Sequence, residues 1–216
     1  MHSYLLTILL NHSIIIPVII SAIRFKTIGR DYRPFIFLLW LGLLNETISL
    51  ALIYTKGFNT INSNIYVLLE SGLLLYQFYS WQTITRLTFY IFFFISFFVW
   101  TLDNLIWHHI YDCNAFFRLT YSIIIIGCSI RQVNGLIEFE RFSIFRNATF
   151  LICFSFLLYY SCKSLIEVFY AFRIPVEHLA MKNIFMILYV DDFISNIIYT
   201  IALLCIPKLE TFSLPY

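Results

Sequence analysis

The feature that most constrains this chain is a series of apolar runs, each long enough to cross a bilayer and separated by short charged connections. A membrane-crossing helix needs about 20 mostly apolar residues at about 1.5 Å rise per residue. Seven segments fit: residues 4–23, 34–54, 64–81, 87–102, 115–130, 148–170 and 183–206. Helices are expected because each satisfies its own backbone hydrogen bonds in lipid. Runs such as Phe89–Trp100 have no alternation and few turns, which argues against a barrel. The predicted fold is therefore all-α: a polytopic seven-transmembrane-helix bundle forming one domain over residues 1–216. Only 12% of residues are charged and 61% are hydrophobic, whereas a soluble domain carries about 25% charged residues.

Orientation follows the Lys and Arg of the short loops. With seven spans, Arg24, Lys26, Arg30, Arg33, Arg86, Arg131, Arg141, Arg146 and Lys208 share one side. Lys56, Arg173, Lys182 and the boundary residue Arg118 lie on the other. The expected N-terminus is outside and the C-terminus cytoplasmic. The start, Met1–Leu6, has no positive n-region and no small-residue cleavage site after its apolar stretch, so it is expected to remain as a first span. Residues 131–147, with the sequence GLIEFERFSIFR inside them, form the longest predicted cytoplasmic loop, suited to an interfacial helix or a docked partner. The Asn147-Ala148-Thr149 sequon falls on the wrong side for glycosylation.

Several function classes are disfavoured. A net charge of +2, with no aromatic-interleaved basic cluster, predicts no nucleic-acid partner. The five cysteines contain no CxxC pair, and four of them sit in apolar runs as small core residues. His2, His12, His108, His109 and His178 show neither HxxxH nor HExxH spacing, so no metal site or cofactor is expected. There is no Ser nucleophile elbow and no phosphate-cradling loop. Retinal would require a lysine in the seventh span, where acids stand instead. Six glycines and one proline deep in a span, Pro17, give little sign of the broken helices common in transporters.

The polar residues inside the spans carry the functional signal. Ionisable groups at membrane depth cost about 2.5 kcal/mol or more and face a bundle interior or a wet cavity. His12, Glu46, Glu70, Lys163, Glu167, Asp191 and Asp192 all fall in the outer half of their spans, although the spans alternate in direction. His12, Glu46 and the paired aspartates lie about 12 Å below the outer ends by helix rise. Asp103 marks the outer rim of the fourth span.

Helix-face spacing groups these residues. Gly42, Asn45, Glu46 and Ser49 make one stripe, and Asp192, Ser195, Asn196 and Tyr199 a second. Tyr160, Lys163, Glu167 and Tyr170 make a third, and Tyr66, Glu70 and Gln77 a fourth. The expected ligand pocket is His12, Asn45, Glu46, Glu70, Lys163, Glu167, Asp191, Asp192 and Asn196. Asp191 and Asp192 are about 100° apart around a helix, so one faces the pocket and the other a neighbouring helix. Five acids against Lys163 and His12 require protons or a bound cation. The plainer alternative is that Lys163 and Glu167 pair along one helix, with Asn45, Glu46 and Asn196 as interhelical glue.

The segments NIYVLLESGLLLYQFY, residues 64–79, and IIYTIALLCIPK, residues 197–208, resemble small bacterial seven-helix integral membrane proteins of unassigned function. The resemblance implies a fold and an inner (plasma) membrane home, and no chemistry. The expected function is a receptor-like or sensory subunit that binds a small cation or protons, with residues 131–147 passing the signal to a partner. The alternatives are a small-solute or proton-coupled transporter and an intramembrane lipid-modifying enzyme with Glu46, Glu70 or Asp192 as acid or base.

Overall fold

The structure is a computed structural model that describes residues 10, 12–107, 109–139, 144–174 and 178–207. The expectations for residues 4–9, His2, His108, Arg141 and Lys208, and for the side chains of His178 and Lys182, lie outside the described residues. Among those described there is no strand, and seven α-helices follow one another. They are α1 (Ile15–Arg24), α2 (Arg33–Lys56), α3 (Thr60–Ser80), α4 (Arg86–Leu102), α5 (Ala115–Phe139), α6 (Ala148–Ala171) and α7 (His178–Cys205). A 3-10 turn at His12–Ile14 leads into α1, and a π-helical turn at Asp103–Trp107 prolongs α4.

Local sequence explains the helix boundaries. Pro34 opens α2 where its missing N–H costs nothing. Gly57, at φ +80°, closes α2 with its N–H on the Ile53 carbonyl, a left-handed position that favours glycine. Thr85 and Asn147 cap α4 and α6 by accepting from the N–H groups of Thr88 and Phe150. Asp103 is fully buried and accepts from Phe117 N at 2.8 Å, so its carboxylate satisfies the first turn of α5. The fifth run extends beyond its apolar stretch: α5 continues to Phe139 and takes up much of the predicted 131–147 loop. Ile144–Arg146 form a 3-10 turn, and residues 140–143 lie outside the described residues.

Each helix packs against the next, and α7 packs back on α1, closing a ring in which α3 also touches α5. Arg24, ending α1, latches the closure by donating to the carbonyls of Leu203 and Ile206 at the end of α7. The exterior is apolar. In α1 the small residue Ser21 and Pro17 are buried, while Ile15, Ile16, Ile19 and Ile23 are exposed. Small residues inside and bulky ones outside is the arrangement lipid selects. Arg30–Lys56, Arg86–Trp107, Ala115–Glu138, Ala148–Ala171 and Met186–Cys205 are long and apolar enough to cross a membrane. The chain is thus a multi-pass membrane protein. His12–Arg24 is a shorter apolar helix, and α3 carries Asn62, Asn64, Glu70, Ser71 and Gln77.

The two ends of the bundle differ. At the end carrying Arg30–Tyr32 and Thr83–Thr85, Phe35, Leu74, Phe78, Ile152 and Phe156 are completely buried. Phe35 and Phe78 meet Phe156 edge-on at centroid distances of 6.3 and 6.1 Å. Gln77 ties this end together. It accepts from Phe35 N at 2.7 Å, one of the orphan donors of the α2 start, and donates to the Asp31 carbonyl at 2.6 Å. The opposite end, carrying Gly57–Asn59 and Asp112–Asn114, holds the polar groups.

Candidate functional site

Glu70 sits two turns before Gln77 on the buried face of α3. Its Oε1 accepts from Tyr66 at 3.3 Å and Tyr160 at 3.0 Å. Its Oε2 accepts from Tyr121 at 2.7 Å and lies 3.4 Å from Lys163 Nζ. Lys163 donates to Tyr121 Oη at 2.5 Å and stands 5.1, 5.2 and 5.4 Å from the ring centroids of Tyr121, Tyr159 and Tyr160. Both charges are almost wholly buried, at 4% and 5% exposure. A buried ion pair persists only when further hydrogen bonds satisfy its remaining valences. The tyrosine hydroxyls do this for the carboxylate, and the ring faces stabilise the ammonium.

A second charged pair lies nearer the rim. Arg118, on α5, donates to Asn114, Ser63 and Asn64 and is 3.9 Å from Glu167 Oε1. Glu167 is 6% exposed and its Oε2 has no hydrogen-bond partner. Asn64 fixes the π-turn region by donating to the carbonyls of Ile110 and Asp112 while its own carbonyl accepts from Trp100. Asn62 crosses from α3 to α2, donating to Asn45 at 2.9 Å and Ser49 at 3.0 Å. Asn196, on α7, donates to Ser13 at 2.9 Å and Asp192 at 3.4 Å.

Among the described residues, three cavities descend from the polar end. The outer one, about 380 Å³, reaches Asn59, Thr60 and Cys113 and is lined by Asn45, Glu46, Arg118, Lys163 and Glu167. The middle one, about 140 Å³, lies between Glu46 and Asp192 with Gly42 in its wall. The deepest, about 60 Å³, touches Glu70, Asp192, Asn196 and Tyr199. Tyr66 and Tyr159 line all three, so the cavities run along one aromatic wall. Burial pushes the Cys113 thiol, in the connection before α5, up to about 11.

The residues expected from sequence are distributed as follows. Asn45, Glu46, Lys163 and Glu167 line the outer cavity, Glu46 and Asp192 the middle, and Glu70, Asp192 and Asn196 the deepest. His12 lies within electrostatic range of Glu46. Asp191 is not with them and turns toward Cys162 on α6. Lys163 and Glu167 do not pair along their helix. Each finds a partner on another element, Glu70 and Arg118 respectively.

Sequence reading missed Tyr121, Tyr159, Asn62 and Ser63, and left Arg118 at the boundary. Tyr159 and Tyr160 stand four and three residues before Lys163, and Arg118 stands three before Tyr121. That spacing places them on shared faces and was the available signal. Among the described residues, no group of three or more His, Cys, Asp or Glu side chains is placed to hold a metal ion. No protein-family model, curated protein or solved structure matches the chain.

Proposed function

We propose that this chain is a receptor-like or sensory subunit of the inner (plasma) membrane whose polar end binds a small cation or protons. The carrying observation is the middle cavity. Glu46 and Asp192 both line it, while the nearby cations Lys163 and Arg118 are already committed to Glu70 and Glu167. Of the two, Glu46 has His12 within electrostatic range, and two carboxylates in one low-dielectric space carry more negative charge than that neighbour offsets, which favours uptake of protons or a positive ligand. The seven-span topology has the polar end outside. Arg24, Lys26, Arg30, Arg33, Arg86 and Arg146 gather at the packed end, which supports a cytoplasmic assignment for that end. The plug of Phe35, Phe78 and Phe156 beneath the cavities favours one-sided access, and so sensing over transport. The extension of α5 to Phe139 carries it past its apolar run and offers a cytoplasmic surface to a signalling partner.

The test is thermal unfolding of the protein in nanodiscs against small amines and against pH. A ligand at 100 times its Kd stabilises by about 2.7 kcal/mol. Glu46→Gln, Glu70→Gln and Asp192→Asn should each remove that response, and an unchanged response in all three would overturn the proposal. Uptake of a labelled amine by sealed vesicles would reassign the chain as a transporter, and turnover of lipid extracts would make it an enzyme.

A further inference from the structure

Granting the cation-binding reading above, we infer that the three cavities form one site for a linear diamine or polyamine, with ammonium groups held at two depths. Donors and acceptors in the site are unequal. Lys163 donates to Glu70 and Tyr121, and Arg118 donates through Nε and Nη2 to Asn114, Ser63 and Asn64. Carboxylates are in surplus: Glu46, Glu70, Glu167 and Asp192 line the cavities with Lys163 and Arg118, and His12 lies near Glu46. Glu167 is 6% exposed, lines the outer cavity, and has an Oε2 with no partner. Glu46 stands between the outer and middle cavities, and Asp192 between the middle and the deepest. A ligand completing this site brings donors and positive charge. A carboxylate-bearing ligand would add acceptors where acceptors already lack partners.

Shape selects among cations. The cavities narrow from about 380 to 140 to 60 Å³. Tyr66 and Tyr159 flank the whole length. A compact quaternary ammonium would occupy one level only. A methylene chain lying along the tyrosine rings places one ammonium by Glu167 and Glu46 and a second by Asp192. Each ammonium brings three donors and gains from both carboxylate and ring face. Gly42 and Ile14 both line the middle and deepest cavities, and a Cβ at position 42 would stand 2.7 Å from Ile14 Cδ1 and displace that side chain in the shared wall.

The experiment is calorimetric titration of the full chain in nanodiscs with 1,4-diaminobutane, spermidine, butylamine and 4-aminobutyrate. The expected result is that 1,4-diaminobutane and spermidine each bind at least about tenfold more tightly than butylamine, the effect of one added charge-assisted contact. Asp192→Asn should bring the diamine to within about twofold of butylamine. Gly42→Ala, which alters no charge, should weaken the diamine more than butylamine, so the test stands if Asp192→Asn fails to fold. Butylamine binding as tightly as the diamines, or 4-aminobutyrate binding more tightly than either, overturns the inference and leaves the cation pocket intact. If no amine binds but pH still shifts unfolding through Glu46 and Asp192, the inference falls while the proton reading stands. If neither amines nor pH act, both fall.

Discussion

The two ends of this bundle are held together by different physics. At the packed end, Phe35, Phe78 and Phe156 are wholly buried and meet edge-on, and Gln77 accepts from one of the first-turn donors of α2. Lipid is as apolar as these side chains, so their contribution comes from close packing and not from escape from water. At the polar end, cohesion comes from Glu70, Lys163 and three tyrosines, and the packing around them is incomplete, leaving about 380 Å³ open. The contrast shows where stability and function separate: the apolar end stabilises the ring, and the polar end keeps strong groups beside empty space.

This comparison can be broken at either end. The largest expected effect is at the polar hub. Glu70→Ala leaves Lys163 and three hydroxyls without their acceptor and should cost about 3–5 kcal/mol in equilibrium unfolding from micelles. Adding Lys163→Leu should recover much of that loss, and a loss under about 1 kcal/mol for the single variant would mean that water entering from the outer cavity replaces the partner. Next is Gln77→Leu, which orphans Phe35 N and should cost about 1–3 kcal/mol in the same assay. Asn62→Ala, which removes bonds to Asn45 and Ser49, should cost only about 1.2 kcal/mol, at about 0.6 kcal/mol per bond. A larger value would move the rim from adjustable to structural.

The smallest perturbation is chemical labelling. A membrane-impermeant maleimide applied to intact cells should reach Cys113 but not Cys128 or Cys153 at the packed end. Cys113 is an exposed residue whose thiol, against the outer cavity, is pushed up to about 11, so the thiolate fraction and the rate should climb about tenfold per pH unit from 8 to 10. Labelling of Cys113 only after permeabilisation would reverse the proposed orientation.

The helices were legible from apolar run length, and six of the seven runs begin within about five residues of a helix. The seventh, the first run, lies partly outside the described residues. The polar layer was legible because acids stand out against Phe and Ile. What escaped was partnership. Lys163 and Glu167 are four apart and look self-sufficient, yet tertiary packing pairs them with Glu70 and Arg118 on other helices. Tyr121 and Tyr159 were invisible as ligands of charge, because tyrosine in a span reads equally well as bulk. Asp103 was read only as a mark of the outer rim of the fourth span, while its carboxylate accepts from Phe117 N at the start of α5. Run length is local information, and pairing requires knowing which faces meet.

One helix connects the two ends. Glu70 and Gln77 are two turns apart on the same face of α3, one gripping the charged hub and the other clasping the backbone of Asp31 and Phe35. A rotation of that helix about its long axis, driven from either end, would turn both grips together. Torque applied among the carboxylates would reach the Arg30–Tyr32 turn with no intermediary but the helix itself.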